Sequence, residues 1–108
     1  MAGRIDALLA MLERGQDSAL LRFSLGNEYL GEEEYILAAE HLRRAVDLDR
    51  NYSAAWKLLG RTLANQSRTA EAIEAYRQGI EIAEANGDRQ AAKEMTVFLR
   101  RLEKEESG

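Results

Sequence analysis

The feature that most constrains this chain is a pattern that returns after 34 residues. Leu25-Gly26 recurs as Leu59-Gly60, and small, apolar and charged positions keep the same spacing. The other matching pairs are Ala38 and Ala72, Glu40 and Glu74, Leu42 and Tyr76, Arg43 and Arg77, and Val46 and Ile80. A fixed period of this length is typical of stacked helix hairpins, in which each repeat buries its apolar face against the next.

The composition favours an all-α fold and excludes several classes of function. The 108 residues include no proline and no cysteine, and only 6% are aromatic, while strong helix formers are abundant. Without cysteine there is no disulfide framework, thiolate zinc site or cysteine nucleophile. The formal net charge of −4 argues against nonspecific nucleic-acid binding, because such binding needs Lys and Arg to neutralise phosphates.

Apolar residues at helical spacing predict one domain of about six helices. An N-terminal helix at 3–14 matches the second half of a repeat whose first half is missing. Two helix hairpins follow, at 19–52 and 53–86, and a C-terminal capping helix occupies 88–105. This last helix aligns best with the repeats when one residue is inserted near Gly87.

The two aligned glycines need a reason, because glycine inside a helix costs about 1 kcal/mol relative to alanine. We expect close helix approach at Gly26 and Gly60, and small Ala38 and Ala72 on the return helices serve the same purpose. In the last helix Met95 takes the glycine position. We therefore expect that no further helix approaches closely there.

These motifs resemble the tetratricopeptide repeat (TPR) pattern over about 19–85. The first repeat carries Arg22-x2-Leu25-Gly26-x2-Tyr29 and Ala38-x3-Leu42, and the second Trp56-x2-Leu59-Gly60-x2-Leu63 and Ala72-x3-Tyr76. The resemblance implies a right-handed superhelix of antiparallel helix hairpins with flanking N- and C-terminal helices. The chain as a whole is similar to small stand-alone bacterial TPR proteins. It departs from the pattern at Arg22, which stands where the second repeat has Trp56, and at Gly79, which stands where the first has Ala45.

The resemblance also implies a binding surface, because the first helix of each TPR hairpin lines the concave side of the superhelix. In this chain the candidate groove residues are Leu20, Phe23, Asn27, Leu30, Lys57, Arg61, Arg89 and Lys93. This surface is apolar and basic although the chain is acidic. Relatives that hold a peptide's C-terminal carboxylate use asparagine and basic residues at the positions of Asn27, Arg89 and Lys93. Phe23 and Leu58 depart from that pattern, so the match is partial.

We find no pattern typical of a catalytic, metal or cofactor site. Asp47-x-Asp49-x-Asn51 opens like a calcium loop, but Tyr52 replaces the required glycine and Leu58 the closing glutamate. His41 lies among charged residues and is predicted to be a surface residue without a catalytic role. The sequence therefore predicts a protein that is not an enzyme and binds no cofactor.

Two functions remain open. The first is a non-catalytic protein–protein interaction module that receives a peptide or protein segment, preferably acidic, in the groove. The alternative is a self-assembling, dimeric structural unit, because two repeats are fewer than the three or so that a stable array needs. The N-terminus lacks the apolar stretch of a signal peptide, so we expect a cytoplasmic protein. We also expect no binding to nucleic acid, because of the net negative charge, and none to membranes.

Overall fold

The computed structural model describes residues 3–108, which form six helices and no strand. The helices are α1 (Arg4–Glu13), α2 (Ala19–Gly31), α3 (Tyr35–Leu48), α4 (Ser53–Asn65), α5 (Thr69–Ala85) and α6 (Arg89–Ser107). The predicted all-α fold is confirmed. Helix α6 extends past the predicted end at 105. Near its C-terminus the Ser107 hydroxyl donates a hydrogen bond of 2.9 Å to the Glu103 carbonyl.

The two hairpin turns repeat the same backbone geometry. Glu33 and Ser67, 34 residues apart, have positive φ angles of 59° and 60°. Each turn is closed by a backbone bond of 2.9 Å, from the Glu34 N–H to the Tyr29 carbonyl and from the Arg68 N–H to the Leu63 carbonyl. Because these bonds satisfy carbonyls left free at a helix end, they offset the cost of left-handed backbone at a non-glycine residue. The 34-residue period therefore extends to the backbone of the turns.

The helices form two layers. Each helix packs against the next one in the chain, and α2 also approaches α4, as α4 approaches α6. The corresponding pairs on the other side, α1 with α3 and α3 with α5, do not come within 8 Å between Cα atoms over 3–108. Because neighbours are closer in the α2, α4 and α6 layer, the stack curves toward it. These three helices therefore form the concave face.

Close helix approach at the two aligned glycines is confirmed. A Cβ atom at Gly26 would lie 2.5 Å from Cγ of Leu42, and one at Gly60 would lie 2.7 Å from Cε1 of Tyr76. Both distances are far below van der Waals contact, so a Cβ at either position would force the Leu42 or Tyr76 side chain to shift. The 34-residue shift relates Gly26 to Gly60 and Leu42 to Tyr76, and the same contact therefore holds both hairpins together.

Met95 itself belongs to the packed core. Its side chain is fully buried and points back into the hairpin before it, where a Cβ on Gly79 would lie 2.5 Å from the Met95 sulfur and 2.9 Å from Cβ of Trp56. The glycine that aligns with Ala45 thus provides the space for a large residue that aligns with Gly60. A side chain at position 79 would fill this space, which explains why Gly79 departs from the first repeat.

The prediction that His41 is a surface residue is wrong. Only 9% of the residue is exposed, and its ring stacks on Tyr29 with 5.6 Å between centroids. Arg22 donates from Nη1 to His41 Nδ1 at 3.1 Å and from Nε to Asp17 Oδ1 at 2.8 Å. The flanking charges of α3 suggested exposure, but His41 lies on the side of that helix that meets α2. Arg22 and His41 occupy the positions that Trp56 and Ala75 fill in the second repeat, so a polar pair replaces a large and a small residue.

This geometry fixes the protonation state of His41. A guanidinium group can only donate, so Nδ1 must accept and the ring is neutral. Burial, and secondarily the Arg22 charge, hold the pKa of His41 below its ordinary value, against a weaker opposite influence from Glu40 and Asp17.

We expect Gly60→Ala to lower the free energy of unfolding by about 1–3 kcal/mol, because the new methyl group must displace the buried Tyr76 ring. Gly31→Ala is the control, since a Cβ there meets nothing within 4 Å and alanine favours the helix. Thermal melts followed by circular dichroism measure both. If Gly60→Ala melted at or above the wild-type temperature, the close contact would not matter for stability.

We expect the protein to lose stability as the pH falls from about 7.5 to about 5. The unfolded chain protonates His41 at its ordinary pKa of about 6.5, whereas the folded state resists protonation, so unfolding takes up a proton in this window. Above it the contribution of the neutral ring is fully present. His41→Gln keeps an acceptor for Arg22 and removes the titration, so its melting temperature should change less over the same range. Equal pH dependence in the two proteins would contradict this account.

Candidate functional site

The concave face holds a cavity of about 660 Å³ between α2, α4 and α6. Helix α4 contributes most of its floor, and α2 and α6 form its two walls. The residues that face it include Phe23 and Asn27 of α2, Lys57, Leu58, Arg61 and Asn65 of α4, Tyr76 of α5, and Glu94 and Phe98 of α6. We call this cavity the groove.

Two aromatic stacks set the walls of the groove. Phe23 stacks on Tyr52 with 5.0 Å between ring centroids, and Phe98 stacks on Tyr76 with 5.8 Å. In each pair the second ring belongs to the packed interior around the hairpins. Each wall is therefore built on a pair of stacked rings, which leaves an apolar surface on either side of the groove.

The two basic residues of α4 differ in their partners. Lys57 Nζ lies 2.8 Å from Glu94 Oε1, so this ion pair bridges α4 and α6 and neutralises the Lys57 charge. Arg61 has no acidic group within 4.0 Å anywhere in 3–108. The predicted patch of two positive charges is thus reduced to one unpaired guanidinium group.

Tyr76 brings a polar group to the floor. Its ring is only 2% exposed, and burial raises the pKa of its phenol to about 12, against an opposing influence of the Arg61 charge. The hydroxyl makes no hydrogen bond within the described chain, yet it is not sealed, because Gln66 Oε1 is the one sealed side-chain atom there without a partner. The hydroxyl is therefore protonated and not fully sealed, and Tyr76 lines the groove together with Arg61.

Half of the predicted groove residues come together in this cavity. Phe23, Asn27, Lys57 and Arg61 line it. Leu30 lies next to it, in a shallower depression that also contains Asn27 and Arg61.

The other three predicted residues line other depressions. Leu20 lies with Leu8 and Met11 where α1 meets α2, and Arg89 and Lys93 face a separate depression along α6 that Glu84 and Val97 also line. Successive residues of a helix point about 100° apart, so a small error in aligning α6 moves a side chain to another face. Arg89 and Lys93 therefore do not line the same cavity as Asn27.

Several groove residues were not predicted. Glu94 and Phe98 are four residues apart and so share one face of α6. The sequence shows this spacing but does not indicate which face of α6 points into the groove. The repeat pattern predicts a packing role for the Tyr76 ring but does not predict the position of its hydroxyl. Leu58 was noticed only as a departure from the carboxylate-binding pattern.

Residues 3–108 contain neither a metal-binding cluster nor a helix that could span a membrane. No group of three or more His, Cys, Asp or Glu side chains in 3–108 is arranged to hold a metal ion. Over the same residues, none of the six helices combines the length and the apolar character that crossing a membrane requires.

Comparisons with known proteins agree with this architecture. The family model described as tetratricopeptide repeat matches residues 19–52 and 53–86. A TPR repeat-containing protein of Pseudomonas aeruginosa is 50% identical over 100 residues, which cover 93% of this chain and 95% of that protein. The solution structure of a protein from Bordetella parapertussis superposes with a TM-score of 0.84 at 46% identity, covering 99% of this chain and 93% of the other.

A more distant match is the peroxisomal targeting signal receptor of the yeast Kluyveromyces lactis. It is 32% identical over 60 residues, which cover 56% of this chain but only 11% of the receptor.

Stacked hairpins with glycine at the crossing points and an open concave face define a helical repeat protein. The chain belongs to the tetratricopeptide repeat family. Members of this family are generally protein–protein interaction modules and are generally non-catalytic.

Proposed function

We propose that this protein binds a segment of another protein in the groove between α2, α4 and α6 and catalyses no reaction. The observation that carries the proposal is the cavity of about 660 Å³ with an aromatic ring on each wall. Ligand sites are typically concave and mostly apolar, with a few polar groups that fix orientation. Here Phe23 and Phe98 supply contact area, and Arg61 and Asn27 supply the polar groups.

The family supports this proposal in general terms. The matched protein of Kluyveromyces lactis is named as a receptor for a peroxisomal targeting signal. Because the similarity covers only a small part of that receptor, it supports peptide recognition as a class and no particular ligand.

The charges favour an acidic partner. Arg61 is unpaired and exposed, and Lys57 can exchange its bond to Glu94 for one to a ligand, since both members of that pair are partly accessible to solvent. Complementary charge increases the rate and specificity of association more than the affinity. The cytoplasmic location inferred from the sequence stays a prediction, as does the absence of nucleic-acid binding.

We expect dodecapeptides selected from a random display library on the full chain to bind in the groove. Lys57→Glu together with Arg61→Glu should weaken their binding by at least about tenfold, because an acidic peptide would meet repulsion instead of attraction. Wild-type binding should also weaken as salt rises from about 50 to about 500 mM. Isothermal titration calorimetry measures both effects.

The matched control is Lys93→Glu together with Arg100→Glu. It changes the net charge by the same amount but alters the other face of α6, so binding should stay close to wild type. Equal losses in the two double variants would mean that only overall charge had been sensed and that the groove is not the binding site.

Self-assembly stays the alternative, and one observation favours it. Helix α1 contains no buried residue, and Leu20 beside it is 65% exposed. Together with Leu8 and Met11 it forms an apolar depression that a second copy would cover.

Size-exclusion chromatography with light scattering tests this alternative. A dimer that becomes a monomer on Leu20→Glu would establish assembly through this surface. A monomer at every concentration would exclude it, and binding in the groove would be unaffected by either result.

A further inference from the structure

We propose that Arg61 and Tyr76 together form a carboxylate subsite in the groove, which binds an aspartate or glutamate side chain within a continuous peptide segment. This inference rests on the proposed function and identifies the chemistry that the groove recognises. Its basis is that two polar residues line the same cavity and that neither polar group has a hydrogen-bond or ion-pair partner in the described chain.

The first group is the Arg61 guanidinium. It lines the groove and has no acidic partner, although acids occupy neighbouring positions: Glu94 is bound to Lys57 at 2.8 Å, and Glu28 is bound to Arg4 at 3.3 Å. A guanidinium group binds carboxylates through paired donors in one plane. Arg61 is thus the cation of the groove that can bind an acid without breaking an existing ion pair.

The second group is the Tyr76 hydroxyl. The ring is held against Gly60, where a Cβ would lie 2.7–2.9 Å from three of its atoms, and it stacks on Phe98. The ring therefore has little freedom to turn, and its hydroxyl, which is not fully sealed, has no hydrogen-bond partner in the described chain. A rigid donor beside a cation suits an anionic acceptor, since hydrogen bonds to charged groups are stronger than those between neutral ones.

The shape of the surface indicates a side chain and not a chain terminus. Arg61 lines both the groove and the adjoining depression formed with Asn27, Leu30, Gly31 and Glu32. The binding surface therefore continues on both sides of Arg61, and a segment whose carboxylate lies there can extend in both directions.

Charge in that depression adds a second requirement. Glu32 lies there and has no cation within 4.0 Å in the region 3–108, so a second acidic residue of the ligand would be repelled. The preferred segment has a large apolar residue for the space between Phe23 and Phe98, one acidic residue at Arg61, and a neutral or basic residue beyond it.

The test is selection of random dodecapeptides on four full-length baits. They are the wild type, Arg61→Gln, Tyr76→Phe, and the double variant Lys57→Gln with Glu94→Gln, which removes the ion pair without changing the net charge. We expect enrichment of Asp and Glu on the wild type and on the double variant. Enrichment should disappear with Arg61→Gln and decrease with Tyr76→Phe, which keeps the ring and so the packing.

Two library formats distinguish the source of the carboxylate. In one the peptide is fused through its C-terminus, and in the other its C-terminus is free. We expect acidic residues to be selected in the fused format. If only peptides with a free C-terminus bound, the subsite would recognise a chain end and the proposal would be wrong.

Titration of a selected synthetic peptide gives the decisive number. Replacing its acidic residue by the matching amide, or replacing Arg61 by Gln, should each reduce affinity about tenfold, and both together should reduce it little further, because they remove the same interaction. Independent, additive losses would contradict the proposal.

Failure of this inference differs from failure of the proposed function. If peptides bind and lose affinity in the Lys57→Glu with Arg61→Glu variant, but show no acidic preference that depends on Arg61 and Tyr76, the groove binds peptides and the subsite is wrong. If no peptide competes for the groove at all, the proposed function itself fails. If the acidic preference depends on Lys57, the carboxylate replaces Glu94 and Arg61 is not its partner.

Discussion

The Tyr76 ring lies against the backbone of Gly60, and this contact connects the fold to the site. Because residue 60 has no side chain, α4 and α5 approach closely enough for the ring to be almost completely buried, and Tyr76 is also one of the residues that line the groove. The same ring stacks on Phe98 and so positions the wall that α6 provides. A residue that the repeat pattern requires for packing therefore also shapes the concave surface. The equivalent contact in the first hairpin, between Gly26 and Leu42, has no hydroxyl to offer, and the two repeats differ there in their chemistry.

Differences between the repeats form compensating pairs. Arg22 and His41 replace Trp56 and Ala75, with a hydrogen bond of 3.1 Å in place of apolar packing. Gly79, which is smaller than the Ala45 with which it aligns, leaves space for Met95, which is larger than the Gly60 with which it aligns. In each case one substitution leaves space or an unpaired polar group, and the second fills or satisfies it, as a close-packed interior demands. A residue of this family is therefore best interpreted together with the residue that it contacts across the hairpin.

The sequence was sufficient for the helices and the layered fold, because period, glycine position and helical spacing are local properties that recur twice. It was sufficient for only part of the groove. Phe23, Asn27, Lys57 and Arg61 lie in helices whose register the repeat defines, and these residues meet as expected. Arg89 and Lys93 lie in α6, where no glycine marks the register of the repeat. The observed orientation of α6 differs from the expected one by a small rotation about the helix axis, so Glu94 and Phe98 face the groove instead. His41 was misjudged because its neighbours in sequence are charged, whereas its burial depends on Arg22 and Tyr29, which belong to another helix.

Ion pairing explains why the basic character of the groove is weaker than the sequence suggests. In the sequence Lys57 and Arg61 are equivalent positive charges. In the structure Lys57 forms an ion pair with Glu94 of the neighbouring helix, so it presents little net positive charge to an incoming ligand. Exposed pairs of this kind stabilise a fold by only about 0–1 kcal/mol, so the larger effect of Glu94 is on recognition. By pairing one cation and leaving the other free, the α4–α6 contact concentrates positive charge at a single point beside a rigid hydroxyl donor. A surface with one unpaired cation distinguishes the position of an acidic residue in a ligand, whereas a diffuse basic patch responds to net charge alone.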